Sequence, residues 1–185
     1  MLKFFAIILI QILCITPAYC FSQKDSAVFK DAENGFTIKY PKSWVKQKPT
    51  QEKTKFKIIS KNGKGNEECS VNVQYSPNLA SRTPRDFIDS LKEATKEQLQ
   101  ASVRKGIPNA VIINMGETTL NNQPAFFQHF SFTHDAVGNN PYAAYGVMTI
   151  NNGGAYTVMC ICEQKSFDKN LRIFKQIISS FSLSK

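Results

Sequence analysis

Two histidines, His129 and His134, stand five residues apart with Asp135 beside the second, and they are the chain's whole supply of imidazole. Imidazole is the commonest general base at neutral pH and a good metal ligand, so His129, His134 and Asp135 are the residues from which a catalytic or metal site could be built. The surrounding pattern places His129 on a strand and His134 in the loop beyond it, on opposite pleat parity. Their convergence is therefore not expected; the pattern suits a partly buried strand histidine and a solvated loop histidine. No Gly-x-Ser-x-Gly elbow, phosphate-cradling glycine loop, paired histidines on a helix or Cys-x-x-Cys occurs. The chain is read as a non-enzyme with no catalytic residue, metal or cofactor. A small envelope enzyme or metal-binding protein centred on His129 and His134 is the alternative.

Sulfur is the second candidate chemistry. Of five cysteines, Cys14 and Cys20 fall in an N-terminal leader, which leaves Cys69, Cys160 and Cys162. Cys160 and Cys162 are two apart on an expected strand and share a face, so a bond between them would strain extended backbone. In an oxidising compartment the economical arrangement is one disulfide from Cys69 to Cys160 or to Cys162, with one thiol spare. Three buried apolar thiols are the alternative. Cys-x-Cys alone is too few ligands for a metal.

Charge placement is the third. Residues 21–64 carry eleven lysines against four acidic residues, a net +7, whereas residues 65–185 carry only +1. Lys53, Lys55 and Lys57 alternate with Thr54, Phe56 and Ile58, which sets a row of ammonium groups on one face of a strand. With Lys39, Lys42, Lys46, Lys48 and Lys61 they make a basic face over residues 39–64 that can attract phosphate or carboxylate groups within roughly 10 Å at moderate salt. Arginine is scarce and no aromatic side chains interleave with the lysines, so nucleic acid is not expected as a partner. An envelope protein, an anionic surface polymer or lipid headgroups are. The competing reading is that edge-strand lysines prevent edge-to-edge pairing and keep the protein soluble.

The partner class follows from the leader. Lys3 precedes an apolar run from Phe4 to Ile15, interrupted only by Gln11, and then Thr16-Pro17-Ala18-Tyr19-Cys20. This reads as a secretory signal peptide over residues 1–20, cleaved before Tyr19 or before Phe21. The run is too short for the roughly 20 residues of a transmembrane helix. Lipid attachment at Cys20 fits poorly, because bulky Tyr19 and Pro17 occupy positions that a lipoprotein signal fills otherwise. A secreted or periplasmic monomer, with residues 21–185 as one domain and no transmembrane segment, is expected.

The elements that must position these groups are strands, a helix, more strands and a last helix. Phe36, Ile38 and Tyr40 alternate on a first strand, Phe56 and Ile58 mark a second, and Val71 and Val73 lie on a third from Cys69 to Tyr75; the three read as a meander. Thr83 suits an N-cap, Pro84 the first helical position and Asp86 the first turn of a helix running to Val103, with Ile88, Leu91, Thr95, Leu99 and Val103 as its apolar stripe. Four strands follow over 110–120, 124–133, 142–151 and 155–163, with Asn121-Asn122 and Asn151-Asn152-Gly153-Gly154 at the hairpin turns. Ser166 can cap a final helix presenting Phe167, Leu171, Phe174, Ile178 and Phe181. Phe126-Phe127 and Val147-Met148 are apolar on both faces, as in a sheet covered by helices on two sides.

Gly35-Phe36-Thr37-Ile38-Lys39-Tyr40-Pro41-Lys42-Ser43-Trp44, the central capped helix, the Asn-turn hairpin before Pro124-Ala125 and the closing Phe174-Lys175-Gln176-Ile177-Ile178-Ser179-Ser180-Phe181 together resemble the PsbP-like superfamily, over nearly the whole mature chain. That superfamily includes the extrinsic P subunit of the photosynthetic oxygen-evolving complex and many exported bacterial relatives. The resemblance implies an α+β fold, a three-layer α/β/α sandwich around a mostly antiparallel sheet of about six or seven strands. It also implies a non-enzymatic binding or assembly role. The N-terminal segment through which the photosynthetic subunit engages its partner has no recognisable counterpart here, so a photosynthetic role is not carried over.

Overall fold

Alternating apolar and polar residues, broken by residue types that accept positive φ, build two antiparallel sheets. The computed structural model describes residues 25–61, 66–133 and 140–184. Strands β1 (Ser26–Asp31) and β2 (Phe36–Pro41) open the fold. Strands β3 (Trp44–Lys46), β4 (Thr54–Ser60) and β5 (Glu68–Tyr75) follow, then helices α1 (Pro84–Glu93) and α2 (Lys96–Gly106). The second half holds β6 (Val111–Leu120), β7 (Gln123–Thr133), β8 (Pro141–Asn151), β9 (Gly154–Glu163), helix α3 (Phe167–Ser179) and the short β10 (Ser182–Leu183). Seven strands make the large sheet, in the order β3-β4-β5-β9-β8-β7-β6, and β1-β2-β10 make a small one.

Asn121 and Asn122 (φ +52° and +59°) turn β6 into β7, and Asn152 and Gly153 (φ +47° and +77°) turn β8 into β9. Two consecutive left-handed residues match the right-handed strand twist, and asparagine and glycine pay least for that conformation. These turns set registers such as Leu120 opposite Gln123 and Asn151 opposite Gly154.

Each face of the large sheet buries its own core. On one side α3 and the small sheet enclose Phe36, Phe56, Val71, Val158, Phe174 and Phe181. On the other, α1 and α2 enclose Ile88, Leu99, Ile112, Phe126 and Phe130. Adjacent Phe126 and Phe127 belong to opposite cores because successive side chains of a strand alternate. This is the expected α/β/α layering, with the small sheet sharing the α3 layer. Among the described residues no helix is long and apolar enough to cross a membrane.

Four expectations are corrected. The strand at Phe36–Pro41 does not join β4 and β5 in a meander; it is the centre of the small sheet, paired with β1 and with β10 at the far end of the chain. The expected long helix is two helices, because Ala94 is extended (φ −70°, ψ +136°) and Thr95 starts α2 rather than packing in a stripe. The Thr95 hydroxyl accepts from the Gln98 N–H while the Gln98 side chain accepts from the Thr95 N–H, a reciprocal capping pair that repeats the Thr83–Asp86 pair of α1. Ser166 precedes α3 without a side-chain cap. Phe181 lies just beyond α3, in the turn to β10.

Candidate functional site

His129 lies on β7 facing the α3 layer, its ring stacked on Phe167 at 4.3 Å and 8°. Burial lowers its pKa, and the Asp168 carboxylate opposes that shift. The ring is thus a packing element, favoured in its neutral form. His134 and Asp135 lie outside the described residues.

The cysteines sort as strand register dictates. Cys69 on β5 stands directly opposite Cys160 on β9, and the two are bonded across the strands with Cα atoms 4.0 Å apart. Cys162 shares their face, remains a free thiol and is buried. Burial pushes its pKa up to about 11, a hydrogen bond with Asn170 works against the rise, and the Glu67 and Glu163 carboxylates add to it. A thiol held protonated this way is a poor nucleophile. Among the described residues no group of three or more His, Cys, Asp or Glu is placed to hold a metal ion.

The lysines are distributed over the β1–β4 end of the molecule. Lys39 lies on the outer side of the small sheet, opposite Val28, while β2's Ile38 turns into the core. Lys42 occupies the turn to β3. Lys46 and Lys48 are exposed on and after β3, with the Lys46 ammonium 4.3 Å from the centroid of the Phe29 ring. Lys53 and Lys61 flank β4 and are exposed.

The regular row of Lys53, Lys55 and Lys57 is not realised. A bulge between Thr54 and Phe56 inserts Lys55 as an unpaired extra residue, so Thr54 and Lys57 share a face. Thr54 pairs with Asn72 and Lys57 with Ser70. Lys57 also reaches the Glu68 carboxylate at 2.7 Å, so part of its charge is neutralised locally.

That face of β4 and β5 forms part of an open groove of about 470 Å³ that the sequence reading missed. α1 and α2 cover the β6–β8 side of the large sheet, and the groove lies between α2 (Ser102, Val103) and the loop before β4 (Thr50, Gln51). Its floor includes Ser70, Asn72, Gln128, Gly146, Thr157 and Met159. A signal for it was present. Ser70, Asn72 and Gln74 alternate with Cys69, Val71 and Val73 on an inner strand, and a strand covered on both faces would be apolar on both.

An antiparallel sheet layered between helices, with its aromatic ends buried in the core, defines a small α/β/α sandwich. The chain belongs to the PsbP family, whose model matches residues 24–183. Among solved structures it is similar to CyanoP, the cyanobacterial PsbP of Synechocystis sp. PCC 6803, with a TM-score of 0.60 and 16% identity over 88% of this chain and 95% of that one. It is also similar to LpqN of Mycobacterium tuberculosis, described as involved in cell envelope biogenesis (TM-score 0.58, 10% identity, 91% and 99% covered). A further likeness is to the Saccharomyces cerevisiae Ran-binding protein Mog1p (TM-score 0.52, 7% identity, 85% and 95% covered). At these identities the likeness is one of fold. No curated protein sequence matches the chain.

Proposed function

We propose that this protein is an exported, non-catalytic binding or assembly module that uses the basic surface of residues 39–64 to hold an anionic envelope component or an acidic partner protein. The observation that carries the reading is the asymmetry of charge: a net +7 on residues 21–64 against +1 on residues 65–185, with Lys39, Lys42, Lys46, Lys48, Lys53 and Lys61 exposed. Three features support it. The cross-strand disulfide suits an oxidising compartment. The only described histidine is consumed in stacking on Phe167. The likeness to LpqN is compatible with a place in the envelope.

Co-sedimentation with vesicles of phosphatidylcholine alone and of phosphatidylcholine mixed with phosphatidylglycerol, at low and high salt, tests it. Retention on the anionic vesicles that falls as salt rises is the expected result. Equal retention on both vesicle types, or none on either together with none on an acidic polymer resin, overturns it.

A further inference from the structure

The groove over the uncovered part of the large sheet has a chemistry of its own. Its floor is a set of cross-strand rows. In one, Lys57, Ser70, Met159, Gly146 and Gln128 follow one another across β4, β5, β9, β8 and β7; in the next, Thr54, Asn72, Thr157 and Met148 do the same. Neutral hydroxyl and amide groups from four strands thus converge on one concave surface, interleaved with two thioethers.

We propose that this groove binds an acidic sugar, a saccharide ring carrying a carboxylate or a phosphate, with the charged substituent at the Lys53–Lys57 end. Amide and hydroxyl groups both donate and accept, as the hydroxyls of a sugar ring require, whereas a row of charges would not serve both needs. Among the described residues the side chains of Ser70, Gln128 and Thr157 make no hydrogen bond to protein, so their polar atoms are available to a ligand. The Asn72 amide is held in place, because its oxygen accepts the Thr54 hydroxyl at 2.6 Å and its NH₂ group is thereby left to donate.

Gly146 deepens the floor. It contributes no side chain between Met159 and Gln128, and a Cβ there would rise against Met159 at 3.7 Å. Met148 and Met159 offer polarisable apolar surface to the C–H face of a ring. The volume of about 470 Å³ is in the range of small-molecule sites and suits one or two sugar rings. An extended peptide added as a strand needs a sheet edge, and this surface is the face of inner strands. An acyl chain would need an enclosed apolar tunnel, whereas this groove is open and sets hydroxyl and amide groups beside its apolar lining.

Lys53 and Lys57 lie at one end and are the cations of the lining; Glu68, also in the lining, pairs Lys57 at 2.7 Å and offsets part of its charge, so Lys53 supplies the larger share of the attraction. They are shared with the basic surface, but the site itself does not depend on that surface binding anything.

The test is amide chemical-shift titration of the purified protein with N-acetylglucosamine, N-acetylmuramic acid and N-acetylglucosamine 6-phosphate. One or both acidic sugars should shift Ser70, Asn72, Gln128 and Thr157 saturably and bind about tenfold tighter than the neutral sugar, and which of the two binds distinguishes carboxylate from phosphate. Lys53→Gln with Lys57→Gln should abolish that advantage. Asn72→Ala with Gln128→Ala should weaken every sugar by about tenfold, the equivalent of about 1.4 kcal/mol. Ser70→Trp, which fills the groove without removing a core contact, serves if either pair unfolds. Shifts that are absent or fall elsewhere, equal affinity for neutral and acidic sugars, or binding unchanged by Ser70→Trp overturns the proposal. Lys39→Glu with Lys48→Glu, outside the groove, alters vesicle retention but not sugar binding, so the two readings fail separately.

Discussion

Phe36 in the small sheet and Phe181 after α3 stack with ring centroids 5.5 Å apart, both with 1% or less of their surface exposed. One residue lies on β2 near the start of the domain and the other just past α3 near its end, so this aromatic contact joins the two ends beside the β2–β10 pairing. Ser180 reinforces it: the Lys39 N–H donates to its hydroxyl oxygen, and that hydroxyl lies 2.9 Å from the Lys39 carbonyl. Truncating Phe181 to alanine should cost about 3–5 kcal/mol, the range for a buried phenylalanine whose cavity does not collapse. Urea unfolding of wild type and variant measures the difference; a loss under about 1 kcal/mol would show that the closure is not needed.

The Cys69–Cys160 bond closes a chain separation of 91 residues. Disulfides typically stabilise by about 2–4 kcal/mol, and the long loop closed here places this one at the upper end of that range or just above it. Peptide mapping of the unreduced protein should recover Cys69 joined to Cys160, with Cys162 unlabelled by iodoacetamide until the chain is denatured. Reduction should lower the unfolding midpoint. A Cys69–Cys162 peptide, or three labelled thiols, contradicts the assignment.

His129 links stability to pH. Its folded pKa lies below the ordinary value of 6.5 because the ring is partly buried against Phe167, so the unfolded chain takes up a proton first as pH falls. This contribution is present above the unfolded value and is lost on acidification toward the folded one. Thermal unfolding from pH 8 to pH 5 should therefore destabilise wild type more than His129→Phe, in which the ring stacks but does not titrate. Parallel curves for the two proteins would remove the linkage.

Thr95 starts α2 with a reciprocal cap. Replacing it by alanine should cost about 1 kcal/mol, whereas Thr95→Ser should cost less, because the hydroxyl is retained. If Thr95 instead packed in a continuous helix, alanine would be neutral or stabilising; chemical unfolding decides between these.

The strands joined by asparagine turns, β6 to β9, were legible to within a few residues, since apolar β-forming runs and hairpin geometry agree there. So was the shared face of Cys160 and Cys162. What escaped depends on distant segments. β10 is two residues long and acquires its partner only when residues 182–183 meet β2, and that contact with the far end of the chain is what separates β2 from β4 and β5. The break between α1 and α2 was readable in Thr95-x-x-Gln98, but apolar spacing continues across it and suggested one helix. Lysine recurs at every second position straight through the bulge, so the row at Lys53, Lys55 and Lys57 read as regular. The groove escaped because it depends on where α1 and α2 stop covering the sheet, which no single stretch of sequence encodes.

The most direct measurement is vesicle retention of three proteins at low salt: wild type, Lys39→Glu with Lys48→Glu and Lys61→Glu, and a control carrying Lys96→Glu, Lys105→Glu and Lys169→Glu, which has the same net charge. All six positions are exposed. Retention on anionic vesicles lost in the first variant and kept in the control is the predicted result. Equal losses in both would show that only total charge matters, and the basic surface would have no special role.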